Sequence, residues 1–202
     1  MIVYVESNFV LQIALGEEES GAAEAILKGA ESRDLEITFP AFAISEPFAT
    51  VTHRGRERAR LCVTLEEQLR ELRRSQPHMQ VASQLSSVPI ALRDIEKKEV
   101  DSLKSTVQRL LSVGKSIELS SSVFAQALLY ERQYGLSPQD SIIYSAVMSD
   151  LRTRNKSETK YFVSQNWKDF RDPEIIKELQ SFNCTYIESF VKAVKSLKES
   201  PS

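Results

Sequence analysis

The sequence predicts a three-layer α/β/α fold, a central parallel sheet with helices on both faces, carrying a helical insertion. Three observations predict it. Short apolar runs alternate with longer helical segments along most of the chain, the pattern of strand–crossover–strand units. The runs at 2–5 and 161–163 show no polar alternation, as strands covered on both faces require. The middle of the chain abandons the alternation and is helical and charged, so it reads as an insertion at about residues 57–113. With 202 residues, 42% of them apolar and 27% charged, the chain can bury a core of ordinary size without disulfides or a structural metal. The expectation is a single domain over 1–190, with residues 191–202 forming a helix end and a polar tail.

The elements follow in order. Ile2-Val3-Tyr4-Val5 is too short and too β-branched for a helix and reads as a buried strand. Residues 8–15 and 17–27 read as helices, with Gly29 as the stop. Residues 35–39 alternate apolar and polar and form the second strand, ended by Pro40. A helix follows whose regular part begins near Glu46, because Pro47 suits a first turn. Leu61, Leu65, Leu69 and Leu72 recur at helical spacing, as do Val100, Leu103, Val107 and Leu110. Between these stretches, residues 75–89 carry Pro77, Pro89 and several serines and glutamines, and read as a connector. Gly114 ends the second long helix, and residues 115–119 are a short strand. Residues 122–134 are helical up to Gly135. Ser137-Pro138-Gln139-Asp140 opens another helix, residues 161–163 form a strand, and Asp172-Pro173 opens a helix reaching 182. Residues 184–187 are the last strand, followed by a short helix.

Several classes are excluded. No apolar run is long enough for a membrane span, and the N-terminus lacks the basic and apolar regions of a signal peptide. The two cysteines, Cys62 and Cys184, stand far apart without a C-x-x-C, so both read as small buried hydrophobes in a reducing cytoplasm. A net charge of -2 excludes a polycation but leaves room for a local basic stripe.

In parallel α/β sheets ligands sit outside the carboxyl ends of the strands, so the residues there carry the chemistry. Glu6 follows the first strand, with Ser7 and Asn8. Glu46 lies in the helix after the second, and Asp140 opens the helix after Gly135. Ser164, Asn166 and Asp169 follow the strand at 161–163. The acids have no histidine or cysteine among them, and an oxygen-only set suits Mg²⁺ or Mn²⁺. Gathered acids repel one another unless a cation is present or one stays protonated, so the set predicts a metal and, with it, phosphate chemistry. Each residue also has a plain structural reading. Asp140 completes a capping box with Ser137, Glu46 complements a helix dipole, and Asp169 suits a turn. Glu6, beside a buried strand, is the hardest to explain without a partner.

Ile2-Val3-Tyr4-Val5-Glu6-Ser7-Asn8 resembles the opening of a PIN domain. Ile44-Ser45-Glu46-Pro47-Phe48, Leu136-Ser137-Pro138-Gln139-Asp140-Ser141 and Tyr161-Phe162-Val163-Ser164-Gln165-Asn166-Trp167-Lys168-Asp169-Phe170 are similar to that family's second, third and fourth acidic sites. The resemblance covers roughly residues 1–55 and 115–190. It implies a metal-dependent ribonuclease cleaving single-stranded RNA, as in the toxins of toxin–antitoxin pairs, with an antitoxin protein and a second copy of the chain as partners. It implies Glu6, Glu46, Asp140 and Asp169 as catalytic metal ligands for Mg²⁺ or Mn²⁺, and Ser7, Asn8, Ser164 and Asn166 as supporting groups. Glu6 stands where the family carries Asp, and its extra methylene shifts a metal by about 1 Å or demands a shifted backbone. The alternative is a catalytically weakened module that binds RNA or a partner protein.

Residues 54–74 hold seven arginines against four glutamates. Arg54, Arg56, Arg58 and Arg60 either line an RNA path or form a solvated face of Glu–Arg pairs. The leucine stripe needs a cover: the second long helix, another copy, or an antitoxin peptide. Trp167 either stacks on a base or is a rim aromatic.

Overall fold

The computed structural model describes residues 1–199; of the polar tail that the sequence places at 199–202, Glu199 ends the last helix and residues 200–202 lie outside the described residues. Five strands, β1 (Ile2–Val5), β2 (Glu36–Pro40), β3 (Lys115–Ile117), β4 (Lys160–Val163) and β5 (Cys184–Ile187), form one parallel sheet in the order β3-β2-β1-β4-β5. The helices among the described residues are α1 (Ser7–Leu15), α2 (Ser20–Glu31), α3 (Phe42–Leu72), α4 (Met79–Leu85), α5 (Val88–Val113), α6 (Ser121–Tyr134), α7 (Pro138–Thr153), α8 (Trp167–Phe170), α9 (Pro173–Gln180) and α10 (Phe190–Glu199).

The two-residue period of β1 sorts its side chains into two cores. Val3 and Val5 join Phe9, Ile26, Leu103, Leu110 and Phe190 from α1, α2, α5 and α10. Ile2 and Tyr4 join Val123, Tyr144, Met148, Phe162 and Leu179 from the α6, α7 and α9 side. Each large apolar side chain buried this way stabilises the fold by about 1.5–3 kcal/mol. The sheet therefore lies between two helical layers, as the alternation predicts. The strand order reverses at β1, where β2 is one neighbour and β4 the other, so the crevice of this fold opens at the carboxyl ends of β1 and β4.

The sequence misplaces several boundaries, each for a physical reason. Helix α2 runs through Gly29 to Glu31, and Gly29 serves packing instead of ending the helix, with Leu35 Cδ2 3.0 Å from where an added Cβ would stand. The turn instead uses Arg33 at φ 66. Pro40 is the last residue of β2 rather than the residue that ends it. Helix α3 begins at Phe42, not near Glu46, and Pro47 sits inside it. Burial of Ala43, with Phe42 and Ile44 packed against the two cores, outweighs the missing proline donor. The connector at 75–89 contains a 3-10 turn (Gln76–His78) and α4, whose Ala82 is fully buried.

Helix α3 is one unbroken run of 31 residues, which sets a phase the leucine spacing does not. Beyond Pro47, its buried residues are Val51, Gly55, Cys62 and Leu69, on the side that packs towards α5, whereas Leu61 is 55% exposed. Arg58 donates to both oxygens of Glu99 at 2.5 and 2.8 Å, tying α3 to α5. Arg109 ties α5 to α2 through Glu24 and Glu31. Lys160 is fully buried, and burial lowers its pKa. Its three donors are met by the carbonyls of Asn155, Glu158 and Phe182 at 2.5, 2.8 and 3.2 Å, closing the sheet end remote from Glu6. No helix of the described residues is long and apolar enough to cross a membrane.

Gly114, between α5 and β3, supplies a stability test. An added Cβ would stand 2.8 Å from the Phe39 ring and 2.9 Å from the Leu110 carbonyl oxygen. Gly114→Ala is therefore expected to lower unfolding stability by about 1–3 kcal/mol, read from urea or thermal melts.

Candidate functional site

Glu6 ends β1 and forms the N-cap of α1 with an extended backbone (φ −127°, ψ −168°). Its side chain is 4% exposed. Oε2 accepts the Asn8 backbone N–H at 2.9 Å, and the Ser164 side chain also hydrogen-bonds the carboxyl. Oε1 is buried without a hydrogen-bond partner among the described residues. The longer side chain thus curls back onto its own helix, which is where the extra methylene goes. Burial pushes the carboxyl up to about 7. The charges of Glu46 and Asp140 push the same way, against the opposing pull of the Asn8 amide and Ser164.

The other groups arrive from three directions. Ser7, buried in the first turn of α1, donates its hydroxyl to Glu46 Oε2, so the strand end orients the acid delivered by α3. Asn8 contributes its backbone N–H; its side-chain amide has no hydrogen-bond partner among the described residues. Asp140 sits in the first turn of α7, where the Ser137 hydroxyl donates to its Oδ2 at 2.5 Å and accepts its backbone N–H at 3.1 Å. Its Oδ1 accepts the Asn166 side-chain amide at 2.9 Å, so the capping reading and the acid-cluster reading both describe it. Ser164 ends β4, and its hydroxyl accepts the Asn166 N–H at 3.1 Å, which turns the chain back toward Asp140.

Asp169 does not join this set by hydrogen bonding. It lies on α8, its carboxylate makes no hydrogen bond among the described residues, and it lines a neighbouring cavity with Trp167, Tyr134 and Arg171. Among the described residues no three of His, Cys, Asp and Glu group tightly enough to enclose an ion by themselves. The donors around Glu6 nonetheless fit a hard cation of the Mg²⁺ type, which takes one or two protein carboxylates and keeps several waters. All are oxygens, one of them is buried and unpartnered, and Glu46 and Asp140 both bear on it electrostatically.

The proposed arginines are dispersed. Arg54 pairs with Glu17 at 3.2 Å, Arg60 pairs with Glu57 at 2.7 Å, and Arg58 is held by Glu99. Arg56 is exposed and makes no ion pair among the described residues. A second set of polar residues at this end of the sheet escaped the sequence reading. Gln12, 6% exposed, donates to Gln165 Oε1 at 3.0 Å and Glu17 Oε2 at 3.2 Å, and accepts the Glu19 N–H at 2.8 Å. Glu19 in turn accepts from Ser189 and from the Phe190 N–H that opens α10. The one available sign was a glutamine inside the apolar run of α1.

The Glu6 shift fixes a pH dependence. Between about 4.5 and 7 the folded chain holds a proton that the unfolded chain has released, so stability falls as pH rises through that window and is level above it. In chelator-treated buffer, Glu6→Gln is expected to be more stable than the natural chain above pH 7, by on the order of 3 kcal/mol, with the advantage vanishing below about pH 4.5. Parallel denaturation curves at pH 4.5 and 8 read the difference.

A family description, PIN domain, matches residues 3–170. Among solved structures the chain is similar to a complex described as VapBC2 from Rickettsia felis bound to a DNA fragment from their promoter. That likeness has 14% identity and a TM-score of 0.45, and covers 93% of this chain and 98% of that one. No curated protein gives a significant match. With more than half of its length matched by the family description, and Glu6, Glu46 and Asp140 set around the carboxyl ends of a parallel sheet, the chain belongs to the PIN domain family.

Proposed function

We propose that this chain is a metal-dependent nuclease that hydrolyses phosphodiesters of single-stranded RNA and serves as the toxin of a toxin–antitoxin pair. The observation that carries the reading is the buried, unpartnered Oε1 of Glu6 under the charges of Glu46 and Asp140, a place that needs a cation or a proton. Glu6, Glu46 and Asp140 would hold Mg²⁺ or Mn²⁺, with Asp169 beside them as an outer group. When bound, that ion supplies a water of lowered pKa and neutralises charge on the phosphate. Ser7 fixes the carboxylate of Glu46, while Ser137 and Asn166 fix that of Asp140, so neither acid has to be ordered during the reaction. Glu6, whose carboxyl is raised to about 7 by burial, would have to be unprotonated to hold such an ion.

The same reading makes residues 57–113 an insertion into one PIN domain, places the protein in the cytoplasm, and gives it an antitoxin protein and a second copy of itself as partners. A second reading is favoured by the way Glu6 caps α1 rather than pointing freely at its neighbours: a weakened module that binds RNA without cleaving it.

Incubation with single-stranded RNA and Mn²⁺ should give cleavage that chelation abolishes and that Asp140→Asn lowers by at least ~10²-fold. Equal cleavage by both proteins, or none by either, removes the nuclease reading; metal-independent RNA binding without cleavage establishes the second one. Thermal melts supply a check free of activity. Mn²⁺ should raise the melting temperature of the natural chain more at pH 8 than at pH 5.5, where protons compete for Glu6, and should raise that of Glu6→Gln less than that of the natural chain at either pH.

A further inference from the structure

Beside the acid cluster lies a cavity of about 380 Å³, bounded by the Tyr134–Gly135 end of α6 on one side and by α8 on the other. We propose that it is a nucleobase subsite, in which Trp167 stacks on a base next to the cleaved phosphodiester and the Asp169 carboxylate accepts hydrogen bonds from that base's edge. This rests on the reading of the protein as an RNA nuclease.

Four observations converge. Trp167 is 50% exposed, so a large apolar ring stands at the wall of a cavity instead of in the core. Aromatic faces of this kind are the usual platform for unpaired bases. Lys168 holds its ammonium 5.9 Å from the Trp167 ring centroid, and Arg171, mostly exposed, keeps only a 3.7 Å contact with Glu188. Two cations thus line the cavity that holds the ring, Lys168 over the ring itself, and both suit the phosphates of a strand whose base stacks there. Asp169 lines the same space, and its carboxylate makes no hydrogen bond or ion pair among the described residues. Gly135, at φ +66, has nothing within 4 Å of where a Cβ would stand, which leaves that wall open.

The position is set by the chain itself. Asn166 donates to Asp140 at 2.9 Å, and Trp167 is the next residue, with its Cα about 3.8 Å along. On the other wall, Gly135 precedes by a few residues the cap that places Asp140. The two segments that fix Asp140 are therefore the two that enclose the cavity, so a strand with its phosphate at the acids has a neighbouring base within reach of Trp167.

The acceptor chemistry selects the base. A carboxylate offers only acceptors, through two oxygens side by side. Guanine presents two adjacent donors on its pairing edge, N1–H and the 2-amino group, and matches that pair. Uracil presents one N–H between two carbonyl oxygens, which a carboxylate repels. Guanine is thus the expected occupant and uracil the one disfavoured.

Trp167 is the sole tryptophan of the chain, so its fluorescence reports this place alone. Titration of the full chain with GMP in a chelating buffer should give saturable quenching, with UMP at least about tenfold weaker and the difference lost in Asp169→Asn. Anisotropy of a labelled, guanine-containing single-stranded oligoribonucleotide should show binding weakened about tenfold or more by Trp167→Ala and much less by Trp167→Phe. Absence of saturable quenching, equal quenching by GMP and UMP, or an unchanged affinity in Trp167→Ala overturns the proposal. Mn²⁺-dependent cleavage measured alongside separates the two readings. Cleavage with no quenching and a normal Trp167→Ala overturns the subsite alone; quenching by GMP with no cleavage of any RNA supports the subsite and overturns the nuclease.

Discussion

The burial of one carboxyl group at the end of β1 is the constraint on which the rest of the site depends. A parallel sheet covered on both faces leaves its polar groups only at the strand ends, and Glu6 is placed there at 4% exposure. Its carboxyl has two compensating hydrogen-bonding partners, the Asn8 amide and Ser164, and one oxygen with none. The charges of Glu46 and Asp140 both act on that carboxyl. Ser7 turns Glu46 by a hydrogen bond from the first turn of α1, while Asn166 turns Asp140 from the far side of β1. The switch in strand order places β1 and β4 side by side, so the two chains of hydrogen bonds meet over a single crevice.

Much of the architecture was legible because burial writes itself into sequence. Strand β1 is apolar at every position and could be nothing but a covered strand; α6 stops at Gly135, which adopts φ 66. Ser137 and Asp140 read as a capping box and form one. The unreadable parts were those set by contacts distant in sequence. Leu61 fits a leucine repeat, yet the continuous phase of α3 turns it to solvent and puts Cys62 against the Pro89 carbonyl. The Gln12–Gln165 bond spans 153 residues between two polar side chains, a pairing with no periodicity to betray it. Whether Glu6 would point outward or curl onto Asn8 was a choice of rotamer, which residue identity does not decide.

The charge balance has the same character. A net of -2 conceals arginines whose roles differ within a single helix. Arg58 joins two helices, Arg54 reaches the loop after α1, and Arg56 is left to solvent. Exposed pairs such as Arg60 with Glu57 contribute little to stability, whereas the bidentate Arg58–Glu99 pair fixes the relative placement of α3 and α5.

That placement turns α3 into a ruler. Glu46 lies in its second turn and Arg73 just past its end, on one rigid rod with a rise of about 1.5 Å per residue. Arg56 is then held roughly 15 Å along the axis from Glu46 and Arg73 roughly 40 Å. The rod's outer half is braced by α5. Whatever binds the far end therefore does so on the same helix that carries Glu46, at a distance from the acid set by the number of helical turns between them.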